Sequence, residues 1–235
     1  MKKMAVLLAG AMLMVGVYSG IASATTINYL STNTANDKTS IYTGLANFQI
    51  ETFNNAGLGH VNTSGLIWDW TSGAQDNASV VKGALDGRYA PPFGLTQADQ
   101  TNYISVPNPD PSGSVTVNLG GGLYNYFGLW WGSVDAGNRN VLSFLKSGVE
   151  VASYTGTLAI SPSVANGNQT AQDTNVYINF LDLPDFDSFK MASTQYAFEA
   201  DNIAIGNVVP EPGTIILLGA GLLGLGFYGR RKVQK

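Results

Sequence analysis

The stretch "NVLSFLKSGVEVASYTG", Asn140 to Gly156, decides how this chain folds. Two runs of alternating apolar and polar residues, Asn140–Lys146 and Val149–Gly156, flank the link Lys146-Ser147-Gly148. Alternation sends successive side chains to opposite faces of a strand. A link this short, ending in Gly, closes two such strands into a tight antiparallel hairpin. Neither run has the i, i+3, i+4 spacing of a helix.

The same pattern extends outward in both directions. Upstream, strands are predicted over Thr26–Leu30, Ala46–Phe53, Gly65–Trp70, Asn102–Val106, Gly113–Leu119 and Asn125–Gly132. Downstream they are predicted over Asn175–Leu181, Phe186–Ser193 and Tyr196–Gly206. Gly, Asn, Asp, Pro and Ser separate them, and no helix-period segment intervenes. The expected fold is an all-β antiparallel sandwich or jelly roll filling residues 25–208 as one domain. Val106–Gly113, with three prolines, and Ser161–Asp173, polar and turn-rich, read as the longer loops.

The chain has 235 residues and no cysteine, which excludes disulfides, thiol catalysis and Cys-based zinc sites. A core of this size needs no covalent staples. Half of its twelve basic residues lie at the two ends. The segment from Thr25 to Val208 keeps six bases against fifteen acids, a net charge of −9. Such a surface repels phosphate backbones, so a nucleic-acid partner is not expected.

The amino end reads as a secretory signal peptide over residues 1–24. Lys2 and Lys3 are followed by an apolar run from Ala5 to Tyr18 and then by Ala22-Ser23-Ala24, with Ala22 and Ala24 as the small residues of a signal-peptidase site. Maturation would leave Thr25 first.

Catalytic machinery is sparse, and no catalytic residue is assigned. A Ser-His-Asp triad would have to use His60, the sole histidine, which sits in a Gly- and Asn-rich loop. Glycoside hydrolysis needs only two suitably separated carboxyl groups, and Glu51, Asp69, Asp135, Glu150 and Glu199 are candidates, but none stands in a signature. The expectation is a protein that is not an enzyme.

Calcium is the cation that the sequence suits best, because hard cations gather carboxylate, amide and carbonyl oxygens. Asp182, Asp185 and Asp187 fall within six residues, and Glu199 and Asp201 lie on the last strand. The spacing is not that of an EF-hand, and solvated turn acids explain it as well. Along that strand, alternation places Phe198, Ala200 and Asn202 on one face and Glu199, Asp201 and Ile203 on the other.

Four tryptophans offer a possible sugar-stacking platform. Trp68 and Trp70 share a face, while the neighbours Trp130 and Trp131 face opposite ways, so at most one of that pair is expected in the core. Core packing is the competing reading for all four.

The carboxyl end, "VPEPGTIILLGAGLLGLGFYGRRK" from Val209 to Lys232, admits three readings. Gly219, Gly221 and Gly224 spell G-x-G-x-x-G, but a dinucleotide site needs a strand before it and a βαβ unit after it, and only eleven residues follow Gly224. A membrane helix fits better. Ile215, Leu218, Leu222, Leu225 and Tyr228 belong to a charge-free run of 14 residues, Ile215–Tyr228. Such a helix is about 21 Å long at 1.5 Å per residue, short for a full span. Arg230, Arg231 and Lys232 follow it, which places the carboxyl end in the cytoplasm.

The third reading is an address. Pro210-Glu211-Pro212, a short apolar Gly-rich segment and a terminal basic cluster resemble the PEP-CTERM sorting signal of exosortase-processed bacterial surface proteins. The resemblance covers residues 209–235. It implies transient membrane insertion, then recognition by an exosortase-like membrane protease. It also implies release to the surface or exopolysaccharide matrix of a Gram-negative or cyanobacterial-type envelope. "NYFGLWWGSVDAGNRNVLSF", "FDSFKMAS" and "AFEADNIAIG" also resemble a group of exosortase-dependent surface proteins with a single β-sandwich domain. That second resemblance transfers no chemistry to any residue. Together they imply a structural or adhesive surface protein, or, as the alternative, a carbohydrate-binding module holding structural calcium. A calcium-dependent hydrolase comes third.

Overall fold

A computed structural model describes residues 24–209 except 35, 63, 72–76, 138 and 161–164. The signal peptide, the Pro-Glu-Pro motif, the apolar run and the basic cluster lie outside the described residues, apart from Ala24. The strands run β1 (Thr26–Asn28), β2 (Ser31–Thr34), β3 (Asp37–Ser40), β4 (Ala46–Glu51), β5 (Gly59–His60), β6 (Ser79–Lys82) and β7 (Asn102–Val106). They continue as β8 (Gly113–Asn118), β9 (Tyr126–Gly132), β10 (Asn140–Lys146) and β11 (Val149–Thr155). After a four-residue helix, α1 (Gly156–Ala159), come β12 (Val176–Leu181), β13 (Ser188–Ser193) and β14 (Phe198–Asn207).

Two antiparallel sheets face each other. The larger has the order β1-β12-β9-β14-β7-β6-β5, with β4 also on β14, and the smaller has the order β11-β10-β13-β8. β14 is the spine of the larger sheet. It pairs with β9 along one side, and with β7 and then β4 along the other. The predicted hairpin is present: β10 pairs with β11, and Ser147 and Gly148 at the turn have φ of 52° and 78°. Two consecutive left-handed residues match the right-handed twist of the flanking strands. Asp187 fixes the turn by accepting a hydrogen bond from the Ser147 amide at 2.7 Å.

Aromatic rings fill the space between the sheets. Phe127 meets Phe144 and Phe189 edge-on, with centroids 5.1 and 4.9 Å apart, and Trp131 stacks on Phe198 at 4.1 Å. Truncating one such buried Phe to Ala costs about 3–5 kcal/mol, so this cluster dominates the packing energy.

The outer face of the larger sheet is not open to solvent. The β2–β3 hairpin lies over β9, β12 and β14, and the segment 83–101 crosses beside it. This layer is polar, and it is tied down by hydrogen bonds. Ser40 bonds the Tyr126 hydroxyl, and Tyr126 donates to Asn179 at 2.8 Å. Asn202 donates to Asp37 and to the Lys38 carbonyl. The covering layer explains why Trp130 and Trp131 are both fully buried, against the expectation of at most one. Trp131 enters the sandwich core, and Trp130 lies on the opposite face, which this layer covers.

A second correction concerns the phase of β14. The register with β9 slips between Asp201 and Ala204, and Asn202 has φ of 49°. One extra residue bulges out and reverses the alternation beyond it. Ile203 therefore joins Phe198 and Ala200 in the core, and Asn202 turns outward to the covering hairpin.

Candidate functional site

The bulge and the covering layer leave one end of β14 beneath a pocket of about 520 Å³. Four segments converge on it: 84–90, 133–139, 167–169 and 196–199. Its floor is the Glu199 carboxyl, which is 3% exposed. One oxygen of Glu199 accepts the Ala90 amide at 3.0 Å and the other accepts the Ser133 hydroxyl at 3.3 Å. Burial outweighs these bonds and pushes the Glu199 carboxyl up to about 8, so at neutral pH it is largely a neutral hydrogen-bonding acid.

Asp135 forms one wall and pairs with Arg139 at 3.3 Å. Burial raises its carboxyl above the ordinary range, and Arg139 opposes that shift. Arg88, at the rim, lies over the Tyr196 ring at 5.6 Å, a cation–π contact. Tyr196 is anchored in turn by its hydroxyl, which donates to the Pro109 carbonyl at 2.6 Å. Gly167 passes so close to Asp135 that a Cβ there would stand 2.5 Å from its Oδ1; the left-handed φ of 71° suits Gly as well.

Behind the pocket, under the covering layer, lies a second group of acids. Asp99 and Asp201 are both almost fully buried; Asp99 Oδ1 accepts the Thr101 amide and hydroxyl, and Asp201 accepts the Asn202 amide at 2.6 Å. Burial and the neighbouring Asp99 hold the Asp201 carboxyl well above its usual range.

The five acids that could serve a cation are not brought together. Asp187 accepts from Ser147 and Ser188, and Asp185 pairs with Lys146 at 3.3 Å, so both brace the β10–β11 turn. Asp182 has a left-handed φ of 58° just after β12. Glu199 and Asp201 lie at the other end of the sandwich. Among the described residues, no group of three or more His, Asp or Glu is placed to hold a metal ion.

The tryptophans are not a stacking platform. Trp68, Trp70, Trp130 and Trp131 are each at most 5% exposed. Trp68 and Trp70 meet Phe189 edge-on, and Trp68 donates its indole N–H to Gln49 at 3.0 Å. Among the hydrolytic candidates, Glu51 is buried and accepts the amides of Phe53 and Ile67, Asp69 closes a turn with Thr71, and Glu150 is exposed on β11. His60 is exposed on β5. Only Asp135 and Glu199 meet in one pocket. Sequence reasoning named both, but it missed Arg88, Tyr89, Tyr196 and Gln169. They come from separate loops and carry no common pattern.

The opposite end of the sandwich carries the chain ends. β1 pairs Thr26 with Leu181, the Leu183 amide bonds the Asn125 carbonyl, and the Asn125 side chain clamps Val208 through both its amide and its carbonyl. Nine residues of strand separate Glu199 from Val208, about 30 Å at ~3.3 Å per residue. The pocket and Val208 thus lie at opposite ends of the sandwich.

Fold and site together define an all-β antiparallel sandwich with a polar pocket at one end, followed in the sequence by a carboxyl-terminal appendage. Residues 208–232 of that appendage match the family model of the PEP-CTERM protein-sorting motif. The motif implies an exosortase-dependent secreted surface protein, processed by an exosortase-like membrane protease and exported through a membrane intermediate to the cell surface. The match is confined to those residues, and the sandwich lies outside it. Comparison with curated proteins and with solved structures finds no match. Among the described residues, no helix is long and apolar enough to cross a membrane.

Proposed function

We propose that this chain is a non-enzymatic structural or adhesive component of the cell envelope or its exopolysaccharide. Signal peptidase removes residues 1–24. The apolar run Ile215–Tyr228 holds the protein in the inner membrane with Arg230, Arg231 and Lys232 on the cytoplasmic side. An exosortase-like protease then acts at Pro210-Glu211-Pro212 and releases the sandwich.

The observation that carries this reading is the continuity of fold and motif. The match begins at Val208, the first residue after β14, and Val209 beside the Pro-Glu-Pro motif is 64% exposed. The tripeptide therefore follows the central strand without a long linker, and a protease working at the membrane surface meets it just below a rigid body. Replacing Pro210-Glu211-Pro212 with three alanines tests this. The variant is expected to stay in the inner-membrane fraction, whereas unchanged release to the surface would contradict the reading.

A hydrolytic reading draws on one observation, the presence of Asp135 and Glu199 in the same pocket. It is the weaker reading, because both are already engaged. Asp135 is committed to Arg139, and Glu199 accepts hydrogen bonds from the Ala90 amide and the Ser133 hydroxyl.

A further inference from the structure

We propose that the pocket over Glu199 binds an uncharged hexose segment of a surface polysaccharide, at the end of the sandwich opposite Val208. This deepens the adhesive reading above and rests on it. The volume of about 520 Å³ falls within the roughly 300–1,000 Å³ of small-molecule sites. Its charges cancel: Arg88 and Arg139 are matched by Asp86 and Asp135. The floor carboxyl of Glu199 is buried and protonated at neutral pH. A site with no net charge has no electrostatic preference for an ionised ligand.

Its polar groups suit hydroxyls, each of which both donates and accepts. Asp135 accepts, while the Arg88 guanidinium and the Gln169 amide donate from the rim, and protonated Glu199 can do either. Arg88 is not ion-paired among the described residues, so its N–H groups are available above Tyr196. Tyr89 and Leu85 supply apolar surface for the C–H faces of a sugar ring. Leu85 is 46% exposed.

The experiment is a calorimetric titration of the processed protein, purified from the cell surface. The probes are maltohexaose and cellohexaose, with an oligogalacturonate as the charged comparison. At least one neutral oligomer is expected to bind. Arg88→Ala and Gln169→Ala, both at exposed positions, are expected to weaken that binding by about tenfold, with near-ultraviolet dichroism unchanged. The assignment is overturned if neither neutral oligomer binds, if both variants bind like the parent, or if the oligogalacturonate is preferred. Release of new reducing ends would also overturn it, by making the pocket catalytic. Surface release of the protein is measured separately, so loss of sugar binding with normal release removes this inference and leaves the sorting reading intact. Loss of release with normal binding does the reverse.

Discussion

Asn202 and Glu199, three positions apart on β14, show how single residues set the larger sheet. Asn202 takes the left-handed conformation that lets one extra residue bulge, and its amide then reaches Asp37 and Lys38 on the covering hairpin. Removing that amide leaves a partly buried carboxylate without one of its donors. Asn202→Ala should therefore cost about 1.5–3 kcal/mol, read as a lower urea midpoint at constant slope. Glu199 sets a pH dependence. Its folded value of about 8 lies above the ordinary value of 4.5, so the folded state holds a proton that the unfolded chain has lost. The stability it contributes is complete below pH 4.5 and is lost as pH rises toward 8. Asp201, raised in the same sense, adds to the slope. Melting temperature should fall across that window. Glu199→Gln should flatten the fall by up to about 1.4 kcal/mol per pH unit; an equally steep profile in the variant would contradict the assigned proton.

Secondary-structure elements divide by how far their packing is written in their own residues. β7 and β10 have the bounds that alternation predicts, Asn102–Val106 and Asn140–Lys146, because one face of each meets an apolar core. β2 and β3, "STNT" and "DKTS", were not legible. Neither contains an apolar residue, so period-2 hydrophobicity is absent. "GLIWDW" failed in the opposite way. Its aromatics drop into the core from a loop, and only Asp69 bridges to a strand, through Asn118. The β14 bulge was equally invisible, since an Asn in a strand does not announce a change of phase. The β10–β11 turn is a sharper case, because Gly148 is required by geometry. Gly148→Val forces a branched side chain to φ near 78°, a cost of about 1–2 kcal/mol, measurable by chemical denaturation. An unchanged midpoint would mean that the turn had relaxed to another form.

Across the whole molecule, the two ends of the sandwich differ: one carries the pocket and the other carries Val208. The tail was legible as a contiguous pattern, because a protease and a membrane read contiguous sequence. The pocket was legible only as two acids among many, because four loops meet there through the topology of the larger sheet. The same topology sends Val208 out at the far end, next to the start of β1. The most direct measurement is the intact mass of the protein recovered from the cell surface. The expected mass is that of a chain that begins at Thr25, ends at or near the Pro-Glu-Pro motif, and lacks the apolar run and basic cluster. A surface form still carrying Ile215 to Lys235 would contradict it.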